Sequence, residues 1–123
     1  MASSFQFPNR RILVVEDELL IGLDVKATLT GVGCEVIGPV ASVSSGVKAV
    51  REDRLDAAVL DINLGGDLSF PIADALLEAQ VPFLFLTAYA RIALPKPYCE
   101  RVVIAKPFSG SVLVRELARI FGS

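Results

Sequence analysis

Five residues of this chain could do chemistry together: Glu16, Asp17, Asp61, Thr87 and Lys106. Each sits at the end of an apolar run. Ile12-Leu13-Val14-Val15 leads into Glu16-Asp17, Ala57-Ala58-Val59-Leu60 into Asp61, Phe83-Leu84-Phe85-Leu86 into Thr87, and Val102-Val103-Ile104-Ala105 into Lys106. Taken singly they have plain explanations: an Asp at a strand end caps a turn, and exposed acids are solvated. Brought to one place, they would form three carboxylates, a hydroxyl and an ammonium. Carboxylates that close repel, and one would take up a proton unless a cation sat among them. Hard oxygen ligands suit Mg²⁺, which keeps several waters and takes few protein carboxylates. Lys106 would then neutralise an incoming anion, and the Thr87 hydroxyl could donate to it.

The elements that must position these groups are set by the pattern of apolar runs. Runs that are apolar on both faces and only four or five residues long read as buried parallel strands. Between them the spacing predicts helices over Leu19–Val32, with Leu19, Leu20, Leu23, Ala27 and Leu29 on the inward face, and from Ser42 or Ser44 to Asp53, with a stripe of Val43, Val47 and Val50. Further helices are expected from Ser69 through Ala79 and from Ser109 to Phe121. Glu35–Val40 is a second, shorter strand, placed toward a sheet edge by Gly38-Pro39. The segment Ala88–Arg101 is the exception: Pro95 and Pro97 interrupt it, leaving room for a short helical turn at Ala90–Leu94. Right-handed crossovers between successive parallel strands give a doubly wound, flavodoxin-like α/β sheet of five strands in the order 2-1-3-4-5, with a fourth helix that is short or disordered. In that order the strands carrying the five groups are neighbours.

The totals agree with one domain. A chain of 123 residues, 53% hydrophobic, buries a single core without staples. Residues 1–10 read as an N-terminal tail and 11–123 as the domain. A net charge of −2 and a pI near 5.1, with no basic run, argue against nucleic-acid binding. No apolar stretch approaches a membrane span or a secretory signal. The chain has no His, which removes His-based base catalysis and phosphohistidine chemistry on this chain. Cys34 and Cys99 have no metal-ligand spacing and fit a cytoplasmic protein with free thiols.

On these residues the chain resembles the receiver domain of bacterial two-component response regulators, from about Arg11 to Phe121. The resemblance implies that Asp61 accepts a phosphoryl group from a histidine kinase or histidine phosphotransfer protein. It implies that Glu16 and Asp17 hold Mg²⁺ with Asp61 and the backbone carbonyl of Asn63, and that Lys106 and Thr87 contact the phosphoryl oxygens. Ala88 matches the small residue that leaves room for that group, and Lys106-Pro107 matches a cis bond. A kinase helix pair docks on the first helix and near Phe108 in this family, and the last helix, with Arg115, Glu116 and Arg119 about Val114, is a possible surface for a downstream protein. No enzymatic activity beyond the domain's own phosphorylation and dephosphorylation is implied. The chemistry is self-consistent: a carboxylate is a weak nucleophile, but phosphoryl transfer mainly needs in-line positioning and neutralised charge.

The departures bear on how such a domain would signal. Many receivers carry Tyr or Phe where this chain has Val103, so the usual aromatic switch is missing. Pro82-Phe83-Leu84-Phe85-Leu86-Thr87-Ala88-Tyr89 is similar to the motif of a receiver subgroup nicknamed FAT GUY, with Leu86 for its Ala and Ala88 for its Gly; Leu64-Gly65-Gly66 fits the same subgroup. Members are commonly stand-alone, single-domain regulators. Asn63 and Tyr89 flank the site, where they could gate water. The segment Ala88–Arg101 is a candidate for ordering on phosphorylation. Two other functions compete: a phosphorylation-independent pseudo-receiver that only binds partners, and an Mg²⁺-dependent phosphohydrolase. The second usually has an Asp two residues after its nucleophile, and here that position is Asn63.

Overall fold

The computed structural model describes residues 6–88 and 94–122. The strands are β1 (Arg11–Val15), β2 (Glu35–Val40), β3 (Ala57–Asp61), the short pair β4 (Asn63–Leu64) and β5 (Asp67–Leu68), β6 (Phe83–Thr87) and β7 (Val103–Ala105). The helices are α1 (Leu19–Thr30), α2 (Val43–Glu52), α3 (Phe70–Glu78) and α4 (Gly110–Ile120). The main sheet is parallel and runs β2-β1-β3-β6-β7, which is the order 2-1-3-4-5 expected for its five strands.

Side chains alternate across a strand, so each strand feeds two cores. Ile12, Val14, Val59, Leu84 and Leu86 face α1 and α4. Leu13, Val15, Ala58, Leu60, Phe83 and Phe85 face α2 and α3. That two-sided burial is why the strand sequences are continuously apolar rather than alternating.

Helix α1 is turned differently from the expected phase. Gly22, Val25 and Leu29 are its buried residues, whereas Leu19, Leu20 and Leu23 are 68%, 80% and 46% exposed. Apolar residues lie all round this helix, so periodicity alone could not choose a face. The buried face carries a close contact. A Cβ at Gly22 would lie 3.0 Å from Pro39 ring carbons, tighter than ordinary packing, so glycine suits this close approach of α1 to β2. Similarly, α2 buries Gly46, Ala49 and Val50, with Val43 and Val47 only partly covered. In α4, Val114 packs into the core beside Leu113 and Leu117.

The stretch read as a tail is packed where it is described. Phe7 is 3% exposed; its N–H donates to the Val32 carbonyl at 2.7 Å, and its ring meets Phe121 edge-on at 5.1 Å. The Arg10 guanidinium lies 4.6 Å over the other aromatic of that pair, Phe121.

Among the described residues no helix separates β6 from β7. Tyr89 and most of the turn expected at Ala90–Leu94 lie outside the described residues. Between Leu94 and β7 the chain is held by Leu94 against the α2–α3 core, by the Arg101 guanidinium 4.6 Å over the Phe83 ring, and by Tyr98. Tyr98 stacks on Phe70 at 4.8 Å with 15° between the ring planes, meets Phe85 edge-on at 6.4 Å, and donates its hydroxyl to Asp74 on α3. Burial first, and then the Asp74 carboxylate, push the Tyr98 hydroxyl up to about 12.

Candidate functional site

Strand register assembles the site. Val15 pairs with Leu60, so the next residues along, Glu16 and Asp61, come out side by side. Asp61 itself pairs with Leu86, placing Thr87 one step beyond. Thr87 pairs with Ala105, and the Lys106 N–H donates to the Thr87 carbonyl at 2.9 Å. The Lys106-Pro107 bond is cis. Four strands thus deliver their last side chains to one cleft at the carboxyl edge of the sheet, where open α/β sheets bind ligands.

Lys106 is the electrostatic centre. Its Nζ lies 2.9 Å from Asp61 Oδ2, 2.5 Å from Glu16 Oε1 and 3.5 Å from Glu18 Oε1. Burial by itself would lower the pKa of this ammonium, but the Glu16 and Asp61 carboxylates hold it above the usual lysine range. The second Asp61 oxygen, Oδ1, accepts the Asn63 N–H at 3.3 Å. Glu16 lies beneath the cleft floor, with Oε2 accepting the Glu18 N–H at 3.2 Å. Burial, reinforced by neighbouring Asp61 and opposed by Lys106, raises the Glu16 carboxyl to about 7.

The cleft, about 260 Å³, is lined by Asp17, Glu18, Asp61, Asn63, Gly65, Gly66, Thr87, Ala88 and Lys106. Those two glycines form the tip of the β4–β5 hairpin. Their φ angles of +61° and +104° suit a two-residue type I′ turn, which explains the Gly-Gly pair so soon after Asp61. Asn63 closes the turn through its side chain, Oδ1 accepting the Gly66 N–H at 2.8 Å. Asp17 leans toward this hairpin: a Cβ at Gly65 would lie 3.6 Å from its Oδ2.

All five residues singled out from the sequence therefore line or underlie one cleft, but not in the grouping expected. The carboxylates with oxygens within 4.8 Å of one another are Glu16, Glu18 and Asp61, and Asp17 stands apart at the hairpin. Sequence reasoning misses Glu18. It sits just after the acidic pair at the start of α1, and its acidic type beside Glu16-Asp17 is the one available signal. Thr87 is buried at the cleft wall, and Ala88 is exposed beside it. Val103 is partly buried against the α2–α3 core.

The donor chemistry fits a hard divalent cation. Acids at positions 16, 17, 18 and 61 face a single ammonium in this cleft, and two of the four, Glu16 and Asp61, are at least 95% buried. Such a set is under-compensated as it stands, and a divalent cation with part of its water shell could supply the missing charge.

A five-stranded parallel sheet of this order, with acids, hydroxyl and lysine at its strand ends, defines a response regulator receiver domain, and the chain belongs to that family. No family model matches it. Similar solved structures include SdrG from Sphingomonas melonis Fr1, 33% identical with a TM-score of 0.75, covering 92% of this chain and 97% of that one. The receiver domain of sensor histidine kinase PA1611 from Pseudomonas aeruginosa PAO1, 27% identical with a TM-score of 0.77 over 94% of this chain and 99% of that one, has a magnesium ion coordinated in its active site cleft. The phyllosphere-induced regulator PhyR of Methylorubrum extorquens is 36% identical over 104 residues, 79% of this chain and 38% of its own. The chain spans about two-fifths to half the length of the first curated relatives it matches. No helix among the described residues is long and apolar enough to cross a membrane.

Proposed function

We propose that this chain is a phosphoryl acceptor in two-component signalling, taking the group onto Asp61 from a phosphohistidine of a histidine kinase or phosphotransfer protein. The observation that carries the reading is the convergence of Asp61 and Glu16 on Lys106 at the end of a cleft open to a donor. A carboxylate oxygen of Asp61 attacks phosphorus, the P–N bond to the donor imidazole breaks, and the imidazole nitrogen keeps the electron pair and later takes a proton. The acyl phosphate is lost when water attacks phosphorus and the Asp61 carboxylate leaves. Asp17, Asp61 and the Asn63 backbone carbonyl, supported by Glu16, are the groups that would hold Mg²⁺, which when bound neutralises charge on the transferring phosphoryl oxygens. Lys106 holds Asp61 in place before transfer and can pass to a phosphoryl oxygen afterwards. The Thr87 hydroxyl can donate to another, and Ala88 leaves the space that the group needs.

SdrG has been determined in a BeF₃-activated conformation, which supports a switching domain here as well. The partial FAT GUY motif favours the stand-alone subgroup, signalling by phosphorylation-dependent protein contacts or serving as a phosphate sink or shuttle. The exposed Leu19, Leu20 and Leu23 at the start of α1, next to the cleft, would receive the kinase helices. Incubation with a small acyl phosphate and Mg²⁺, and then intact mass, tests the assignment. One phosphate adduct is expected on the wild type and none on Asp61→Asn. A wild-type protein that takes no adduct from any acyl phosphate or kinase, and releases no phosphate from them, would favour the pseudo-receiver function.

A further inference from the structure

We infer that Glu18 is a specificity-determining residue of the cleft, tightening divalent-cation binding while slowing attack on small dianionic phosphodonors; this rests on the receiver reading above. Glu18 occupies the N-cap position of α1 with extended backbone angles (φ −83°, ψ 108°), yet its side chain caps nothing. Ser42 and Ser109, at the same position of α2 and α4, accept from Ser45 N–H at 3.2 Å and Val112 N–H at 3.5 Å. A glutamate is a poor N-cap, since the favoured residues are Ser, Thr, Asp and Asn. The carboxylate is turned to the cleft instead, 3.5 Å from Lys106 Nζ and within 4.8 Å of oxygens of Glu16 and Asp61.

The backbone is tied to the same cluster, because the Glu18 N–H donates to Glu16 Oε2. Burial separates its role from that of the inner acids. Glu16 and Asp61 side chains are 2% and 6% exposed, whereas that of Glu18 is 60% exposed. With Asp17, also exposed at the cleft, it is among the charges that an approaching ion or donor meets first, and of those two it is the one whose carboxylate reaches Lys106 and the inner acids. A fixed anion at a cleft mouth raises the local concentration of cations and lowers that of anions. Toward Mg²⁺ it acts through the ion's retained water, since the inner acids already crowd the floor. Toward a small donor carrying two negative charges it repels. A donor delivered by a docked protein, held in place by α1, is affected less.

These two consequences have opposite signs, which a role in folding alone would not produce. Mg²⁺ binding to the unphosphorylated protein is measured by calorimetry for wild type, Glu18→Gln and Glu18→Asp. Adduct formation from a small acyl phosphate is then timed by intact mass at saturating Mg²⁺. For Glu18→Gln, Mg²⁺ affinity should fall about three- to tenfold. Adduct formation should accelerate by a similar factor, and both changes should shrink at high salt. Glu18→Asp should return both toward wild type. Unchanged Mg²⁺ affinity in Glu18→Gln, or a joint fall of affinity and rate, overturns the assignment while leaving the receiver reading intact. A wild-type protein that neither binds Mg²⁺ nor takes the phosphoryl group overturns both.

Discussion

Replacing Tyr98 by Phe should change the stability of this domain in opposite directions at neutral and at alkaline pH. The ring is buried against Phe70 and Phe85, so Phe keeps the packing and removes only the hydroxyl and its hydrogen bond to Asp74. Near pH 8 that loss costs about 1 kcal/mol. The hydroxyl also has a proton-linked effect. Burial, and then Asp74, raise it in the folded protein to about 12, against 10.0 for an unperturbed tyrosine. Below pH 10 both states keep the proton and pH changes nothing. Above pH 10 the unfolded chain releases it while the folded protein does not, so stability falls with rising pH until the folded value is passed. At pH 11.5 the accumulated loss is up to about 2 kcal/mol. The wild type should therefore be more stable than Tyr98→Phe by about 1 kcal/mol at pH 8, equal to it near pH 11, and less stable at pH 11.5. Urea unfolding of both proteins at several pH values from 8 to 11.5 measures this, because lysines and the other tyrosine contribute alike to each and cancel in the difference. A stability gap that stays constant across the range would refute the buried, Asp74-paired hydroxyl.

Three further outcomes are expected from the geometry. Lys106→Met leaves Glu16 and Asp61 buried without their ammonium, and in the absence of divalent ions chemical denaturation should show a loss of about 3 kcal/mol; a loss well under 1 kcal/mol would mean that water already screens this cleft. Leu20→Glu should reduce phosphotransfer from a histidine kinase that labels the wild type by about tenfold or more, with labelling from a small acyl phosphate retained, since Leu20 is 80% exposed on α1 and does not line the cleft. Equal transfer from the kinase would move the docking surface elsewhere. A thiol reagent at pH 8 should modify exposed Cys99 quickly and buried Cys34, whose thiol burial pushes up to about 11, only on unfolding; two equally fast thiols in the folded protein would contradict that burial.

The strand ends are the legible part of this chain. Short apolar runs closing on Glu16-Asp17, Asp61, Thr87 and Lys106 state both the parallel sheet and the place where its edge gathers charge, because a strand buried on both faces leaves only its ends for polar groups. The hidden part depends on contacts between elements. The rotation of α1 puts Gly22 against Pro39, a close contact with no trace in a helix whose apolar residues lie all round. Phe7 belongs to no periodic pattern, yet it fills a gap beside Phe121. Tyr98 lies in a proline-broken stretch that promises little order, and its partners Phe70 and Asp74 are more than twenty residues away in sequence. Within the site, strand register brings the right residues together, but side-chain direction groups Glu18 rather than Asp17 with the buried acids.

The contact between Phe7 and Phe121 brings the two sides of the described domain together at one place. Parallel strands end at the cleft, and the helices return from it, so both rings lie at the opposite pole of the sheet. A five-residue strand separates the two poles by about 17 Å. Chain leading away from Phe7 or from Phe121 sets out from the same pole, behind the sheet as seen from Asp61. Such a segment could lengthen or change partners without crowding the cleft at Asp61. To respond to a group bound there, it would have to fold back around the domain or be reached through the sheet itself.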